Sequence, residues 1–470
     1  MNRDSALACA AFVLVTAIAA GLLPDLRRPS IRGDGVGYYA PLASVVIDGD
    51  LELRNELEHL NPRYLQAAFM TPEGKLGDPF PIGPALLWAP AVFVARALPA
   101  IQFLDAPVLE STQTPHPGFA PRYARALAGT DFVLVLLGGS VLAATLAATC
   151  GWMRAAGACV AAVFGTPVAY YTLADPSYGH AASFAVVAVF VAAVWRDRAA
   201  VRTGAAPPGK SLPLELLGAL FGIVTLVRSQ DAALGVLLLP RLLEEWRGPR
   251  RAQLWRLAWP AVLAFLPQML FWQRIYGKFL LVPPGPDIGP LWKPQVFHLL
   301  FSTWNGILPW SPVLLLGLLG WILVRDRPLR LALAVALLLA LYSSAILLDW
   351  WGGNAFGPRR LTALAPLAAI GLAHALTGSR VRSWVLGLVL LLLCALDLRL
   401  ADYKVRHLLP GNPGNAADYV RHYAPGSKRT FPYGHLDYAR LIAECFEAER
   451  MRGAQEARGR EERAPETGRP

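Results

Sequence analysis

An all-α bundle of about eleven membrane-crossing helices, with one further helix at the interface, is the fold this sequence predicts. Three observations carry the prediction. Hydrophobic residues make up 55% of the 470, and the mean hydropathy of +0.40 is too high for a chain meant to fold in water. The apolar residues are gathered into separate runs that approach or exceed the ~20 residues needed to cross hydrocarbon as a helix. No run alternates apolar with polar residues. Backbone groups in lipid must find partners within the chain, so helices rather than a barrel are implied.

The first run covers residues 5–24 and follows Arg3. It has the outline of a signal peptide, but Gly21-Leu22-Leu23-Pro24 is a poor cleavage site and further spans follow, so a retained first helix is expected. Residues 25–80 read as a polar loop on the outer face, with a helix-like segment from Pro41 to Leu60. Gly77-Asp78-Pro79-Phe80-Pro81-Ile82-Gly83-Pro84 then leads into an apolar run to about Leu98. That run is short and proline-broken, which suits an interfacial helix better than a crossing one. Residues 100–120 are Pro-rich and polar, hence loop. Ten spans follow, at about 127–149, 155–173, 180–195, 212–227, 231–246, 257–274, 308–324, 330–348, 361–377 and 383–400. One transmembrane domain, 1–400, is therefore expected, with a short carboxyl-terminal tail at 401–470. The tail's last part, Glu444 to Pro470, is dense in Arg and Glu and reads as disordered.

Charge orients these spans. The net charge is +11, from 44 basic and 33 acidic residues. With the amino terminus inside and the 81–98 helix not crossing, every short inside loop is basic. These loops carry Arg154; Arg196, Arg198, Arg202 and Lys210; Arg241, Arg247, Arg250, Arg251 and Arg256; Arg325, Arg327 and Arg330; and Arg380 and Arg382. A crossing 81–98 helix would move all of them outside. The basic excess is thus explained by topology, with no nucleic acid as partner; membrane lipids and phosphate-bearing substrates fit it instead. The five cysteines show neither zinc spacing nor a disulfide framework, and read as small apolar residues.

The same topology brings the polar motifs together on the outer face. The first is Arg32-Gly33-Asp34-Gly35-Val36-Gly37-Tyr38-Tyr39, where glycines allow a tight turn and close approach of a ligand. Asp34 is read as a general base for an acceptor hydroxyl or amine, against the alternative of a solvated loop carboxylate. Tyr38 and Tyr39 anchor the loop at the interface. Asp175 and His180 flank a Pro-Ser-Tyr-Gly turn; the turn caps a helix through Asp175 or Ser177, or Asp175 and His180 supply a second carboxylate and a histidine that orient substrate. A divalent ion held there is the less favoured alternative, and no cofactor is otherwise implied. Arg359 and Arg360 end the stretch Asp349-Trp350-Trp351-Gly352-Gly353-Asn354-Ala355-Phe356-Gly357-Pro358 and break the positive-inside pattern. Two guanidiniums beside Trp350 and Trp351 suit a lipid-linked phosphate, or phospholipid head groups. Arg228, Lys278 and Lys75 are weaker candidates for the same task. No P-loop, dinucleotide fingerprint, serine elbow or HExxH helix is present, nor a matched pair of broken helices.

The order of these motifs resembles the GT-C superfamily of membrane glycosyltransferases. The features are the Asp34-Gly-Val-Gly-Tyr-Tyr loop after the first helix, the Pro-Ile-Gly-Pro helix, and the Asp175-Pro176 turn after a later span. Bacterial relatives of protein O-mannosyltransferases and of the lipid A aminoarabinose transferase look most alike, in layout over residues 1 to 250. The resemblance implies a polyprenyl-phosphate sugar donor, an active site facing the periplasm of a bacterial inner membrane, Asp34 as base and Asp175 as the second acid. An acidic-basic pair found before the interfacial helix in the aminoarabinose transferases is matched only loosely by Lys75 and Asp78, and no soluble carboxyl-terminal domain is expected of the short tail. The acceptor (lipid, glycan or protein) is left open by both departures. The reading is an inverting glycosyltransferase. The alternative from another class is a transporter or flippase for a lipid-linked or anionic solute, which calls for charges buried in mid-span. A noncatalytic assembly factor, tolerant of change at Asp34, is a third.

Overall fold

The computed structural model describes residues 2–24, 26–27, 29–60, 70–98, 117–202, 212–248, 253–282, 288–302 and 304–406. The segment expected to be disordered, 444–470, and most of the 100–120 loop lie outside them. The described chain is all-α, with isolated bridges Met70–Leu76 and Ile288–Leu347 in place of strands. Its helices are α1 (Arg3–Gly21), α2 (Asp34–Ala43), α3 (Arg54–Leu60), α4 (Gly83–Ala97), α5 (Pro121–Cys150) and α6 (Trp152–Phe164). There follow α7 (Val168–Leu173), α8 (His180–Arg202), α9 (Leu214–Val227), α10 (Leu239–Arg247), α11 (Trp255–Tyr276) and α12 (Val296–Phe301). Then come α13 (Ile307–Trp310), α14 (Pro312–Gly320), α15 (Arg327–Ala345), α16 (Ala365–Ala375) and α17 (Arg380–Val405).

Among the described residues, five helices are long and apolar enough to cross a membrane alone: α1, α5, α8, α15 and α17. Several other expected spans are composite. The 155–173 span breaks into α6 and α7 at Gly165-Thr166-Pro167. The 231–246 span is a 3₁₀ stretch, Ser229–Leu238, continued by α10. Ten residues rising ~2 Å each and nine rising ~1.5 Å give roughly 33 Å, so the looser winding still reaches across hydrocarbon. The 361–377 span likewise opens in 3₁₀ form at Arg359–Leu364 before α16.

Packing fixes which way each element runs. The Ser5 hydroxyl donates to the Ala144 carbonyl (2.9 Å), and the Phe12 ring lies where a Cβ on Gly139 would meet it. Thus α1 runs antiparallel to α5. At the end of the bundle where α8 finishes, Arg198 pairs with Glu244 (2.5 Å) and Asp326 (3.2 Å), and Arg241 with Glu245 (2.8 Å). There too the Leu212 N–H donates to Asp197 (3.0 Å). This network ties together α8, the start of α9, α10 and the turn before α15. Residues expected in separate inside loops therefore meet at one end, and Asp34, Asp175, Arg228, Asp349 and Arg359 gather at the other.

The Asp34 end carries a layer of its own. Ala85, Trp88, Val92 and Ala95 form one stripe of α4 and join Val36, Tyr39, Leu53 and Tyr123 in a single apolar cluster. The Trp88 indole N–H donates to Asp131 (2.8 Å), a fully buried residue of α5. Asp131 and Asp397, in α5 and α17, each keep one buried carboxyl oxygen without a hydrogen-bond partner. Both lie within four residues of an end of their expected spans, 127–149 and 383–400.

Candidate active site

Asp34 opens α2 rather than sitting in a loop. Gly33 precedes it with φ +55°, a left-handed conformation that glycine adopts without strain. Both flanking glycines are required by space as well. A Cβ on Gly33 would lie 2.2 Å from the Tyr178 hydroxyl oxygen, and one on Gly35 2.0 Å from Ser177 Oγ. The turn at 176–178 therefore presses directly on the start of α2.

A polar clamp fastens the two segments. The Arg32 guanidinium donates to Asp175 through Nε (2.8 Å) and Nη2 (2.8 Å), and to the Tyr170 hydroxyl (3.0 Å). The Tyr170 and Ser30 hydroxyls donate to the same carboxylate at 2.8 and 3.1 Å. Both oxygens of Asp175 are thus engaged within the protein. Asp175 holds Arg32 well above its ordinary range, against the opposing effect of burial. The helix-capping alternative for Asp175 is not what forms, since its side chain caps no backbone N–H of the turn that follows.

Arg359 meets Asp34 directly. Its Nη2 lies 2.6 Å from Asp34 Oδ2, with the Asp34 side chain 39% exposed and that of Arg359 12%. The same guanidinium stands over the Tyr178 ring, 5.3 Å from its centroid, a cation–π contact. Burial would lower Arg359, but Asp34, Tyr171 and Tyr178 outweigh it and hold the group above its ordinary range. Arg360, next in sequence, turns away to Asp349, donating to its backbone carbonyl (2.5 Å) and its carboxylate (2.7 Å). Burial pulls Arg360 below its ordinary range, and the neighbouring Arg359 adds to that.

Arg228 completes the basic face. It is 4% exposed; Nη2 donates to Gln230 (2.9 Å), and Nη1 stands 3.6 Å from Asp231 with no hydrogen-bond partner. The Tyr38 phenol sits among Arg228, Asp34 and Arg359; burial raises it, and Arg228 opposes that through charge and a hydrogen bond. His180, 4% exposed, packs against the Tyr171 and Tyr178 rings and leaves Nδ1 unpartnered.

Other expected site residues lie elsewhere. Tyr39 is fully buried and donates to the Gly118 carbonyl (2.9 Å); one helical step from Tyr38 turns it into the core. Trp351 is also core, set edge-on between Trp304 and Trp350, while Asn305 donates to its carbonyl (2.8 Å). The Lys75 ammonium donates to the Arg274 carbonyl (2.8 Å) at the end of α11. Among the described residues no group of three or more His, Cys, Asp or Glu is arranged to hold a metal ion, so the divalent-ion alternative at Asp175 and His180 finds no ligand set.

Arg32, Tyr170, Tyr178 and Asp349 were not singled out from sequence. The signal for Arg32 was at hand, a guanidinium two residues before Asp34; its partner is 143 residues away.

No protein-family model and no curated protein matches the chain. Two solved structures are similar to it: crystal structures of ArnT from Cupriavidus metallidurans, one bound to undecaprenyl phosphate and one in the apo state. Each is 16% identical, with a TM-score of 0.49, over 80% of this chain and 61% of theirs. The chain thus spans about three fifths of the length of those structures.

Proposed function

We propose that this chain is an inverting glycosyltransferase that uses a polyprenyl-phosphate sugar at the membrane surface. The observation that carries the reading is a half-exposed carboxylate, Asp34, set 2.6 Å from Arg359, with the buried Arg228 also beside Tyr38. A carboxylate is a competent base for a hydroxyl or amine within hydrogen-bond reach. A guanidinium is the donor best matched to a phosphate leaving group.

In the proposed step the acceptor gives its proton to Asp34 and forms a bond to the anomeric carbon. The bond from that carbon to the phosphate oxygen breaks, and its electron pair leaves with the polyprenyl phosphate. Negative charge grows on that phosphate, where Arg359 and Arg228 act electrostatically. Asp175 is assigned a positioning role through Arg32, in place of a catalytic one, because both its oxygens are taken within the protein. Arg360 is assigned to hold the 349–360 turn by way of Asp349. The proposed setting is a bacterial inner membrane with the site facing the periplasm. The acceptor belongs among lipids, glycans and proteins.

The second reading is transport of a lipid-linked or anionic solute; Asp131 and Asp397, buried in apolar helices and incompletely paired, are its nearest support, but both lie close to span ends and not at mid-span. The chemical fate of the donor separates the two. Membranes containing the chain are incubated with polyprenyl-phosphate sugars labelled in the sugar, and free polyprenyl phosphate is measured beside label in acceptors. The transferase produces both in equal amounts. Movement of intact donor across the bilayer, with no polyprenyl phosphate released, would establish the transporter.

A further inference from the structure

Arg359 cannot serve Asp34 and a phosphate equally. In the observed arrangement its Nη2 is committed to Asp34 Oδ2 at 2.6 Å, and the Tyr178 ring covers its face. Gly352, at φ +77°, comes so close that a Cβ there would lie 3.0 Å from Arg359 Nε, so the 349–360 turn leaves that side of the fork little room. Arg228 is held deep in the protein; its Nη1 stands 3.6 Å from Asp231 but makes no hydrogen bond, and His180 Nδ1 likewise makes none. Buried polar atoms without hydrogen bonds cost stability; Arg228 lies beside Tyr38, and His180 stacks on the Tyr178 ring that Arg359 covers, so an anion there would give the Arg228 Nη1 donor an acceptor.

We infer that the phosphate of the lipid-linked donor is seated by Arg228 and draws Arg359 off Asp34, so that the base is masked until the donor is bound. This deepens the transferase reading and rests on it. Asp34 and the phosphate are two anions competing for one guanidinium. The pair of Asp34 with Arg359 weakens phosphate binding, and by reciprocity phosphate weakens that pair by the same factor. The acceptor then finds a free carboxylate only beside a loaded donor. Binding is therefore ordered, donor first, and the chain avoids activating water or acceptor in the donor's absence.

The test measures affinity, not turnover. Binding of a polyprenyl phosphate to the purified full chain in detergent is followed by tryptophan fluorescence, with the matching polyprenol and inorganic phosphate as separate arms. The masked base predicts that Asp34→Asn binds the polyprenyl phosphate about tenfold more tightly than the wild type. Arg359→Gln and Arg228→Gln each bind it at least tenfold more weakly. In Asp34→Asn/Arg359→Gln the tightening disappears, because the contested guanidinium is gone. Asp34→Asn is isosteric and its side chain is 39% exposed, so it keeps the fold. Equal affinity of Asp34→Asn and the wild type would overturn the masking while leaving the transferase reading intact. Failure of the wild type to prefer polyprenyl phosphate over polyprenol would overturn both. Inorganic phosphate binding with the same pattern would keep the contest for Arg359 but make the free anion its ligand, contradicting the lipid-linked assignment.

Discussion

At the scale of single residues, the clamp on Asp175 makes a clear prediction. Asp175→Asn leaves Arg32 and Tyr170 with a neutral partner, and the start of α2 loses the anchor that aims Asp34. Because the Arg32 side chain is 41% exposed, water screens its charge and the stability loss should be about 1–2 kcal/mol. Turnover should fall more steeply, ten- to a hundredfold, with the KM for donor nearly unchanged, since the clamp aims the base without touching donor. Initial rates in membranes with thermal unfolding in detergent separate the two effects. A second prediction concerns Asp78, 1% exposed, whose carboxyl is pushed up to about 8 by burial although the Phe80 N–H favours its charged form. The folded chain keeps a proton there that the unfolded chain releases above roughly pH 4. The stabilising contribution is present in acid and is lost as pH rises through about 8. The wild type should therefore melt several degrees lower at pH 8.5 than at pH 5.5, and Asp78→Asn should flatten that dependence.

At the scale of elements, the contact between α2 and the 176–178 turn decides whether the base is aimed. Gly35→Ala forces a methyl into the space of Ser177 Oγ, 2.0 Å away. We expect an assembled protein with transfer reduced at least tenfold, and partial recovery when Ser177→Ala is added. No recovery in the double variant would mean that the Ser177 Cβ and carbonyl carbon, 2.8 and 3.0 Å from the added methyl, exclude it rather than the hydroxyl. The elements also show what was legible in the sequence. Glycines around Asp34 announced a close approach, and Gly33 and Gly35 are where it occurs. That Asp34 begins a helix was not legible, because α2 carries two glycines and Pro41, all weak helix residues. Reading the stretch as a loop put Tyr38 and Tyr39 on one surface, whereas a helix sends them 100° apart. Composite spans were equally hidden, since hydropathy counts apolar residues and does not register a change from α to 3₁₀ winding.

At the scale of the whole molecule, the alternation of spans was legible because charge bias and span order are properties of the entire chain. Arg198, Glu244 and Asp326 come from three different segments and meet at one end, as that alternation requires. The partners of each guanidinium were not legible, since Arg359 and Asp34 are 325 residues apart and only folding brings them together. Topology yields a direct prediction. In a cysteine-free background, a membrane-impermeant maleimide should label Asn354→Cys in intact cells. It should reach Arg325→Cys only after permeabilisation; both positions are exposed. The reverse pattern would put the Asp34 end in the cytoplasm.

The central claim is that Asp34 is the base of a sugar transfer from a phosphate-linked lipid. It is tested most directly by comparing wild type, Asp34→Glu and Asp34→Asn, reconstituted in lipid vesicles, for release of polyprenyl phosphate from a labelled donor in the presence of membrane extract as acceptor source. The account predicts release by the wild type, a reduced rate for Asp34→Glu, and a loss of at least a hundredfold for Asp34→Asn, which still unfolds in one cooperative melting transition. Release by Asp34→Asn at the wild-type rate would contradict it.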